Sequence, residues 1–213
     1  MYSKESIEYF PYSPIFYYYQ GLAFSYLNDY QPSVESFNSA MEYVFDDLTL
    51  KSELHASLGD VYHKMSKDIL SDEQYELALS INPNYIVVLN NYSYYLSLRG
   101  GDDNLLKAEK MIEKCISLTS EDPQPSFLDT YAWVLFQLSI IEQDANKKNE
   151  KLNSSKKLMI SCFENGGDSA VMFEHYGDIL FELKDLEGAK KNWLESIKKD
   201  PKNENLKEKI KNL

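Results

Sequence analysis

Apolar side chains recur along this chain at intervals of three and four residues, within segments bounded by proline, glycine and acidic or amide residues. This spacing is that of amphipathic helices, each of which buries one stripe of side chains. All seven prolines fall between the predicted helices or in their first turns, where a missing backbone donor is tolerated. The sequence therefore predicts an all-α chain of short helices joined by tight turns.

One stretch, residues 58–85, indicates how these helices pair. Its fixed points are, in order, Leu58, Gly59, Tyr62, Tyr75, Ala78 and Pro83. A glycine lets a neighbouring helix approach closely, aromatic rings fill the space between the helices, and a proline ends the second helix. In residue type and spacing the stretch resembles the tetratricopeptide repeat, a helix-turn-helix unit of about 34 residues. One such hairpin cannot bury its own apolar faces, so the resemblance implies a stacked array.

The resemblance extends over most of the chain. The first repeat has Gly21 and Phe37 in the places of Gly59 and Tyr75, and the fifth has Gly177. The predicted repeats cover residues 14–47, 52–85, 86–120, 125–165 and 170–203, and residues 142–152 are a polar insertion that extends helix ends or loops into water. Residues 204–213 are predicted to form a capping helix, apolar toward the last repeat and charged outward. The implied fold is a right-handed α-solenoid of about five hairpins with this C-terminal cap.

The beginning of the chain lacks the polar cap with which a solenoid normally starts. Residues 1–13 are predicted to form a short helix and a linker, interpreted as the end of a preceding repeat. An apolar face follows from Tyr9, Phe10, Tyr12, Ile15 and Phe16. We expect either that the chain is the later part of a longer protein or that another subunit, including a second copy, covers this end.

A narrower resemblance concerns three segments. LNNYSYYLSLRG, FLDTYAWVLFQL and GGDSAVMFEHYGDILFEL are similar to the closing repeats of bacterial tetratricopeptide proteins, particularly envelope lipoproteins of the Bacteroidetes type. The resemblance implies a lipoprotein signal upstream and a place in the periplasm or at the outer membrane. Without such a signal the expectation is a cytoplasmic protein.

Charge is distributed unevenly and narrows the range of partners. The formal net charge is −12. Residues 1–145 carry 8 Lys and Arg against 22 Asp and Glu, whereas residues 146–213 carry 14 against 12. Because an acidic surface repels phosphates, nucleic acid is not expected as a partner. No run of about 18 uncharged apolar residues occurs, so no transmembrane segment is expected.

In a tetratricopeptide superhelix the first helix of each pair lines a concave groove that takes a segment of another protein. Helical periodicity places the following residues in this groove: Tyr18, Leu22, Tyr26, Asp60, His63, Asn90, Tyr94, Asp129, Trp133, Phe136, Asp178 and Phe181. The predicted groove is aromatic with acidic patches, a composition typical of protein-binding hot spots. The alternative for each aromatic residue is that it packs against a second helix.

The expected partner is a protein or peptide with a basic or apolar segment. Tetratricopeptide modules that clamp the acidic tail of heat-shock chaperones carry Lys, Arg and Asn in the groove. The corresponding places here hold Tyr18, Leu22, Ala56 and Asp60, so a bound carboxylate would lack a cation. The sequence thus argues against an acidic ligand.

Motifs for catalysis, metals and cofactors were not found, and the chain is predicted to be a non-enzymatic scaffold or adaptor. H-E-x-x-H, Walker A and G-x-S-x-G are absent. His55 and His63 flank Asp60 on one helix, but isolated histidines on a helix are more often packing or surface residues than metal ligands. Cys115 and Cys162 take equivalent places in successive repeats, which lie too far apart for a disulfide, and are interpreted as small packing residues.

A second class of function is a small-molecule or glycan-binding module. In this interpretation Tyr94, Trp133 and Phe136 form an aromatic platform for a sugar or an apolar ligand. The two classes differ in what the aromatic faces contact, a polypeptide or an oligosaccharide.

Overall fold

The computed structural model describes residues 7–213, and all of its regular secondary structure is helical, with no strand among those residues. Residues 1–6 of the predicted N-terminal segment lie outside the described residues, and residues 7–9 are helical. Eleven helices have both ends within the described chain: α1 Pro14–Tyr26, α2 Tyr30–Tyr43, α3 Leu48–Lys64, α4 Asp68–Ile81, α5 Ile86–Arg99, α6 Asp102–Leu118, α7 Pro125–Ile141, α8 Ala145–Glu164, α9 Ala170–Glu182, α10 Leu186–Lys199 and α11 Glu204–Lys211. The prediction of an all-α chain is confirmed.

The chain divides into two compact units, residues 1–92 and residues 93–213. In the first unit, α1 packs on α2 and α3 packs on α4. The core between these pairs is formed by Val34, Phe37, Ala40, Leu50, Leu54, Leu58 and Val61. Within the α3–α4 hairpin the two helices approach closely at a glycine, since a Cβ added to Gly59 would lie 2.8 Å from the Tyr75 ring. Ser71 Oγ donates to the carbonyl oxygen of Gly59 at 2.8 Å and fixes the same crossing.

The second unit repeats this arrangement with α7 on α8 and α9 on α10. Its main core contains Leu128, Ala132, Phe136, Leu152, Met159, Cys162 and Ile179. A Cβ at Gly177 would overlap the Trp193 ring even more severely than one at Gly59 would overlap Tyr75. Gly59 and Gly177 therefore both lie at helix-to-helix contacts, as the motif predicts. Leu206 of α11 is buried against Trp193 and covers the last hairpin.

The polar insertion of the fourth repeat is mainly helical. Helix α8 begins at Ala145, and Asp144 accepts hydrogen bonds from the backbone N–H groups of Asn146 and Lys147. Most of residues 142–152 therefore lengthen α8 at its amino end. Lys148 reaches Glu182 of α9, with Nζ and Oε2 3.4 Å apart, so the extension also contacts the neighbouring helix.

The turns inside the hairpins share one backbone feature. Asn28, Ser66 and Lys184 each follow the first helix of a pair and have φ between 57° and 67°. This left-handed conformation is unfavourable for residues with a side chain and is tolerated best by asparagine and glycine. No helix within residues 7–213 has the length and apolar character needed to cross a membrane.

Candidate protein-interaction surface

The twelve residues predicted to line the groove divide equally between the two units. In the first unit they are Tyr18, Leu22, Tyr26, Asp60, His63 and Asn90. In the second unit they are Tyr94, Asp129, Trp133, Phe136, Asp178 and Phe181. All of them lie on first helices of the hairpins, but their exposure ranges from buried to fully open.

In the first unit, two tyrosines and two carboxylates form what we call the acid–tyrosine cluster: Tyr18, Glu53, Asp60 and Tyr85. Burial, and next the negative charge of Glu53, raises the pKa of Tyr85 to about 12. The pKa of Tyr18 is raised by burial as well, and then by Glu53 and Asp60, although a hydrogen bond with Ser57 opposes the increase. Both hydroxyl groups thus remain protonated at neutral pH and can donate hydrogen bonds.

Asp60 is the most strongly embedded member of this cluster. The Tyr75 hydroxyl donates to its Oδ1, and Asn91 Nδ2 donates to the same atom at 3.3 Å. Burial raises the pKa of Asp60, and these hydrogen bonds, together with Lys64 and His63, counteract only part of that effect. The charged form of Asp60 is therefore less stable here than in water.

The remaining first-unit residues have different surroundings. Tyr26 is 87% exposed at the end of α1, and Leu22 is 37% exposed. His63 Nδ1 lies 4.0 Å from Asp68 Oδ1, at the start of α4. Asn90 is buried and its amide donates to Asn91 Oδ1 at 3.1 Å, so it positions Asn91 and presents no surface to a ligand.

In the second unit the structure brings together a cluster that we call the Trp–His cluster: Tyr94, Asp129, Trp133, Phe136 and His175. The Trp133 ring is stacked on His175 with centroids 4.0 Å apart and on Phe136 with centroids 5.0 Å apart. His175 Nδ1 lies 3.0 Å from Asp129 Oδ1, and both side chains are buried. Burial, followed by Asp129 and Glu174, raises the pKa of Tyr94 to about 12.

This arrangement corrects two expectations from the sequence. Asp129 is only 6% exposed and is occupied by His175, so it holds α9 against α7 and does not line an open groove. Phe136 is buried in the core of the unit. Because the Trp133 ring already stacks on two neighbours, a sugar would have to replace one of them, and the arrangement does not favour the glycan platform.

The carboxylate of Asp178 is already hydrogen-bonded to two side chains of the same unit. Trp193 Nε1 donates to Asp178 Oδ1 at 2.9 Å, and Lys209 Nζ of α11 donates to the same oxygen at 2.7 Å. Lys209 therefore turns back toward the last hairpin, although the charged residues of the cap were expected to point outward. Phe181 remains partly exposed and packs near Trp193, with ring centroids 5.6 Å apart.

Sequence reasoning missed Tyr85 and His175 as members of these clusters. His175 lies two residues before Gly177, and Ser57, which bonds Tyr18, lies two residues before Gly59. The shared position relative to the glycine is a signal that an alignment of the repeats with one another would have revealed. Tyr85 precedes α5 and has no such signal, because its position depends on the turn that follows α4.

Metal and thiol chemistry receive no support from the geometry. Within residues 7–213 no group of three or more His, Cys, Asp or Glu side chains is placed to hold a metal ion. His55 contacts Gln74, with Nδ1 and Oε1 2.8 Å apart, and is not directed at Asp60. Cys115 and Cys162 are buried thiols that form no disulfide, and burial raises their pKa values to about 11 and about 12. Such thiols are poor nucleophiles at neutral pH.

Comparison with known proteins identifies the second hairpin directly. The family model of the tetratricopeptide repeat matches residues 52–85. Two curated relatives, both named uncharacterized protein ycf37, are similar in sequence. The protein from Porphyra purpurea is 29% identical over 77 residues, which cover 36% of this chain and 43% of the relative. The protein from Pyropia yezoensis is 33% identical over 76 residues, 35% of this chain and 40% of the relative. The matched part spans about two fifths of the length of each relative.

Solved structures extend the likeness to the whole described chain. The APC/C hetero-tetramer Cut9–Hcn1 superposes with a TM-score of 0.80 at 11% identity, over 98% of this chain and 38% of that chain. YrrB, described as a tetratricopeptide protein with an unusual peptide-binding site, gives a TM-score of 0.61 at 15% identity, over 99% and 98% of the two chains. At such identities the likeness shows the fold alone. The predicted α-solenoid of tetratricopeptide hairpins is confirmed.

Proposed function

We propose that this chain is a non-enzymatic scaffold that docks a segment of another protein on the first helices of its hairpins. The acid–tyrosine cluster of the first unit carries the proposal, because it combines half-buried aromatic rings with carboxylates that lack a bonded cation among the described residues. A basic segment with apolar side chains fits this surface. Its charges meet Glu53 and Asp60, and its apolar groups pack on Tyr18 and Tyr85.

The fold supports the same proposal. Stacked helical hairpins present extended surfaces that are used for binding polypeptides, and YrrB is an example of the fold that is described with a peptide-binding site. The fold itself does not choose the partner, which is determined by side chains on the surface. The acidic character of the first unit, with 13 Asp and Glu against 4 Lys and Arg in residues 1–92, favours a basic one.

The proposal is tested with three fluorescein-labelled peptides of equal length, in which leucine alternates with lysine, glutamate or serine. Fluorescence anisotropy is expected to show the highest affinity for the lysine peptide and none for the glutamate peptide. Replacing both Tyr18 and Tyr85 by alanine should weaken binding at least tenfold. Truncation of an aromatic hot-spot residue commonly costs about 2 kcal/mol or more of binding free energy.

Phe45→Ala is the matched control, because Phe45 is an aromatic residue of the same unit that is 81% exposed in the turn before α3. It is expected to leave the affinity unchanged. Equal binding of the glutamate and lysine peptides, or full binding by the Tyr18→Ala, Tyr85→Ala variant, would contradict the proposal.

A place in a bacterial envelope assembly or secretion process is a further part of the proposal. Its support is the resemblance of the three segments in the third, fourth and fifth repeats to envelope lipoproteins. Fractionation of the source organism, with an antibody against this chain, tests it: recovery with the outer membrane or periplasm is expected, and recovery in the cytoplasm alone would contradict it.

A further inference from the structure

An arrangement of glycine, aspartate and an aromatic residue occurs once in each unit. In the first unit Gly59 lets the Tyr75 ring approach, and the adjacent Asp60 accepts a hydrogen bond from the Tyr75 hydroxyl. In the second unit Gly177 and Asp178 do the same for Trp193, whose Nε1 lies 2.9 Å from Asp178 Oδ1. In both cases the aromatic donor follows the aspartate by 15 residues.

A second donor reaches each aspartate from the helix that follows the hairpin. It lies 31 residues after the aspartate in both units and bonds the same oxygen, Oδ1. In the second unit this donor is Lys209, which brings a positive charge and places Nζ 5.3 Å from the centroid of the Trp193 ring. In the first unit the corresponding residue is Asn91, a neutral amide.

The consequence is a difference in charge compensation. Asp178 has an ammonium group at 2.7 Å, whereas both donors to Asp60 are neutral. The cation nearest to Asp60 on its own helix, Lys64, lies with Nζ 3.5 Å from Ser25 Oγ and forms no ion pair with Asp60 among the described residues. Both hydrogen bonds to Asp60 end on Oδ1, and no hydrogen bond reaches Oδ2 within residues 7–213.

We propose that Asp60 binds the ammonium group of a lysine side chain from the partner segment, in the way that Asp178 binds Lys209. Tyr18 and Tyr85 lie near enough to Asp60 for its charge to raise their pKa values, and Glu53 adds a second negative charge to the cluster. An ammonium group there gains a charge-assisted hydrogen bond to Asp60 and the attraction of nearby aromatic rings. This inference rests on the proposed function and names the anchor residue of the partner.

The experiment uses two peptides that differ in one side chain. The first carries a single lysine between leucines, and its twin carries norleucine, which has a similar length without the charge. The measured quantity is the ratio of their affinities, determined by fluorescence anisotropy. For the wild-type protein the lysine peptide is expected to bind about tenfold more tightly, as for one charge-assisted hydrogen bond.

Two variants remove the site in different ways. Asp60→Asn keeps an acceptor for the Tyr75 hydroxyl but removes the charge, and Asn91→Lys places an internal lysine where Lys209 lies in the second unit. Both are expected to bring the affinity ratio close to one while the norleucine peptide binds as before. Asn84→Lys is the matched control. Asn84 is exposed in the turn before α5, so this substitution adds the same charge outside the site. It should retain the wild-type ratio.

Each outcome separates this inference from the proposed function. If wild-type protein binds both peptides equally, the lysine site is wrong and the scaffold proposal stands. If it binds neither peptide up to about 1 mM, both are wrong. A tenfold ratio that survives in Asp60→Asn or Asn91→Lys, with folding verified by circular dichroism, also overturns the lysine site. Loss of the ratio in both variants, and not in Asn84→Lys, supports it.

Discussion

The second and fifth hairpins share one helix crossing but differ in the second hydrogen-bond donor to its aspartate. Gly59 and Gly177 admit an aromatic ring, and Asp60 and Asp178 accept its polar end. In the fifth hairpin α11 supplies Lys209, whose ammonium group compensates the charge of the aspartate. In the second hairpin the corresponding donor is neutral, and the aspartate faces two tyrosines and another carboxylate. We infer from this difference that Asp60, unlike Asp178, is left for a cation of another molecule.

The largest expected loss of stability comes from removing the buried aromatic residue of either hairpin. Tyr75 and Trp193 are almost completely buried, so Tyr75→Ala and Trp193→Ala should each lower the free energy of unfolding by about 3–5 kcal/mol. Denaturation by guanidinium chloride measures this loss. Phe45→Ala, at an exposed position, should change it by less than about 0.5 kcal/mol. A small effect at only one of the two residues would break the structural equivalence of the hairpins.

A smaller effect is expected from a methyl group at the glycine. Gly177→Ala should destabilise the protein by about 1–3 kcal/mol, because Trp193 is enclosed and cannot move away. Gly59→Ala should cost less, since its Cβ would approach the Tyr75 ring less closely, at 2.8 Å. Combining Gly177→Ala with Trp193→Ala relieves the overlap, so the two losses should not add. Additive losses in this double mutant would show that the ring and the glycine do not compete for space.

Neutralising Asp60 and neutralising Asp178 should change the free energy of unfolding in opposite directions. Asp178→Asn weakens the bond from Lys209 and should cost about 1 kcal/mol, limited by the partial exposure of Lys209. Burial raises the pKa of Asp60, so ionisation of this group removes stability as the pH rises through its folded-state pKa. Asp60→Asn should therefore stabilise the protein, by an amount that grows as the pH rises from about 4, the ordinary carboxyl pKa, toward neutrality. Urea denaturation across this range measures both, and the same sign at neutral pH for the two variants would contradict the comparison.

The smallest changes in stability are expected from substituting the second hydrogen-bond donors to the two aspartates, Lys209 and Asn91. Lys209→Met should lower the free energy of unfolding by about 0.5–1 kcal/mol, and Asn91→Lys should raise it by a similar amount, because exposed or half-exposed ion pairs contribute little. Both changes should diminish in concentrated salt. Thermal unfolding at low and high salt measures them, with Lys190→Met on the exposed side of α10 as the control. Salt-independent shifts would indicate a cause other than charge.

Most of the fold could be predicted from local sequence patterns. The spacing of Gly59, Tyr75 and Pro83 is set within one hairpin, and short-range periodicity suffices to predict the helices and their pairing. It also predicts which helix face a residue occupies. It does not predict which side chain 30 or more positions away will contact that residue. The expectations that Asp129 and Asp178 line an open groove missed such long-range partners.

Asp129 illustrates the limit most clearly. Its position on the first helix of a pair is as expected, but His175, 46 residues later, buries and occupies it. Lys209 is a second case: alternating charge at the end of the chain is typical of a solvated helix, and only the three-dimensional arrangement shows that one lysine turns toward Asp178. Side-chain partners across repeats are long-range properties that periodicity does not encode.

The left-handed turns at Asn28, Ser66 and Lys184 offer room for engineering heat resistance. Ser66 and Lys184 are exposed and take a conformation that glycine adopts more readily. Exchanging Ser66 for glycine relieves local backbone strain without altering any of the aspartates, aromatic rings or donors described above, whereas Lys184→Gly also removes an Nζ that lies 5.7 Å from the centroid of the Phe181 ring. A more thermostable protein for biochemical work is thus expected from the single substitution Ser66→Gly.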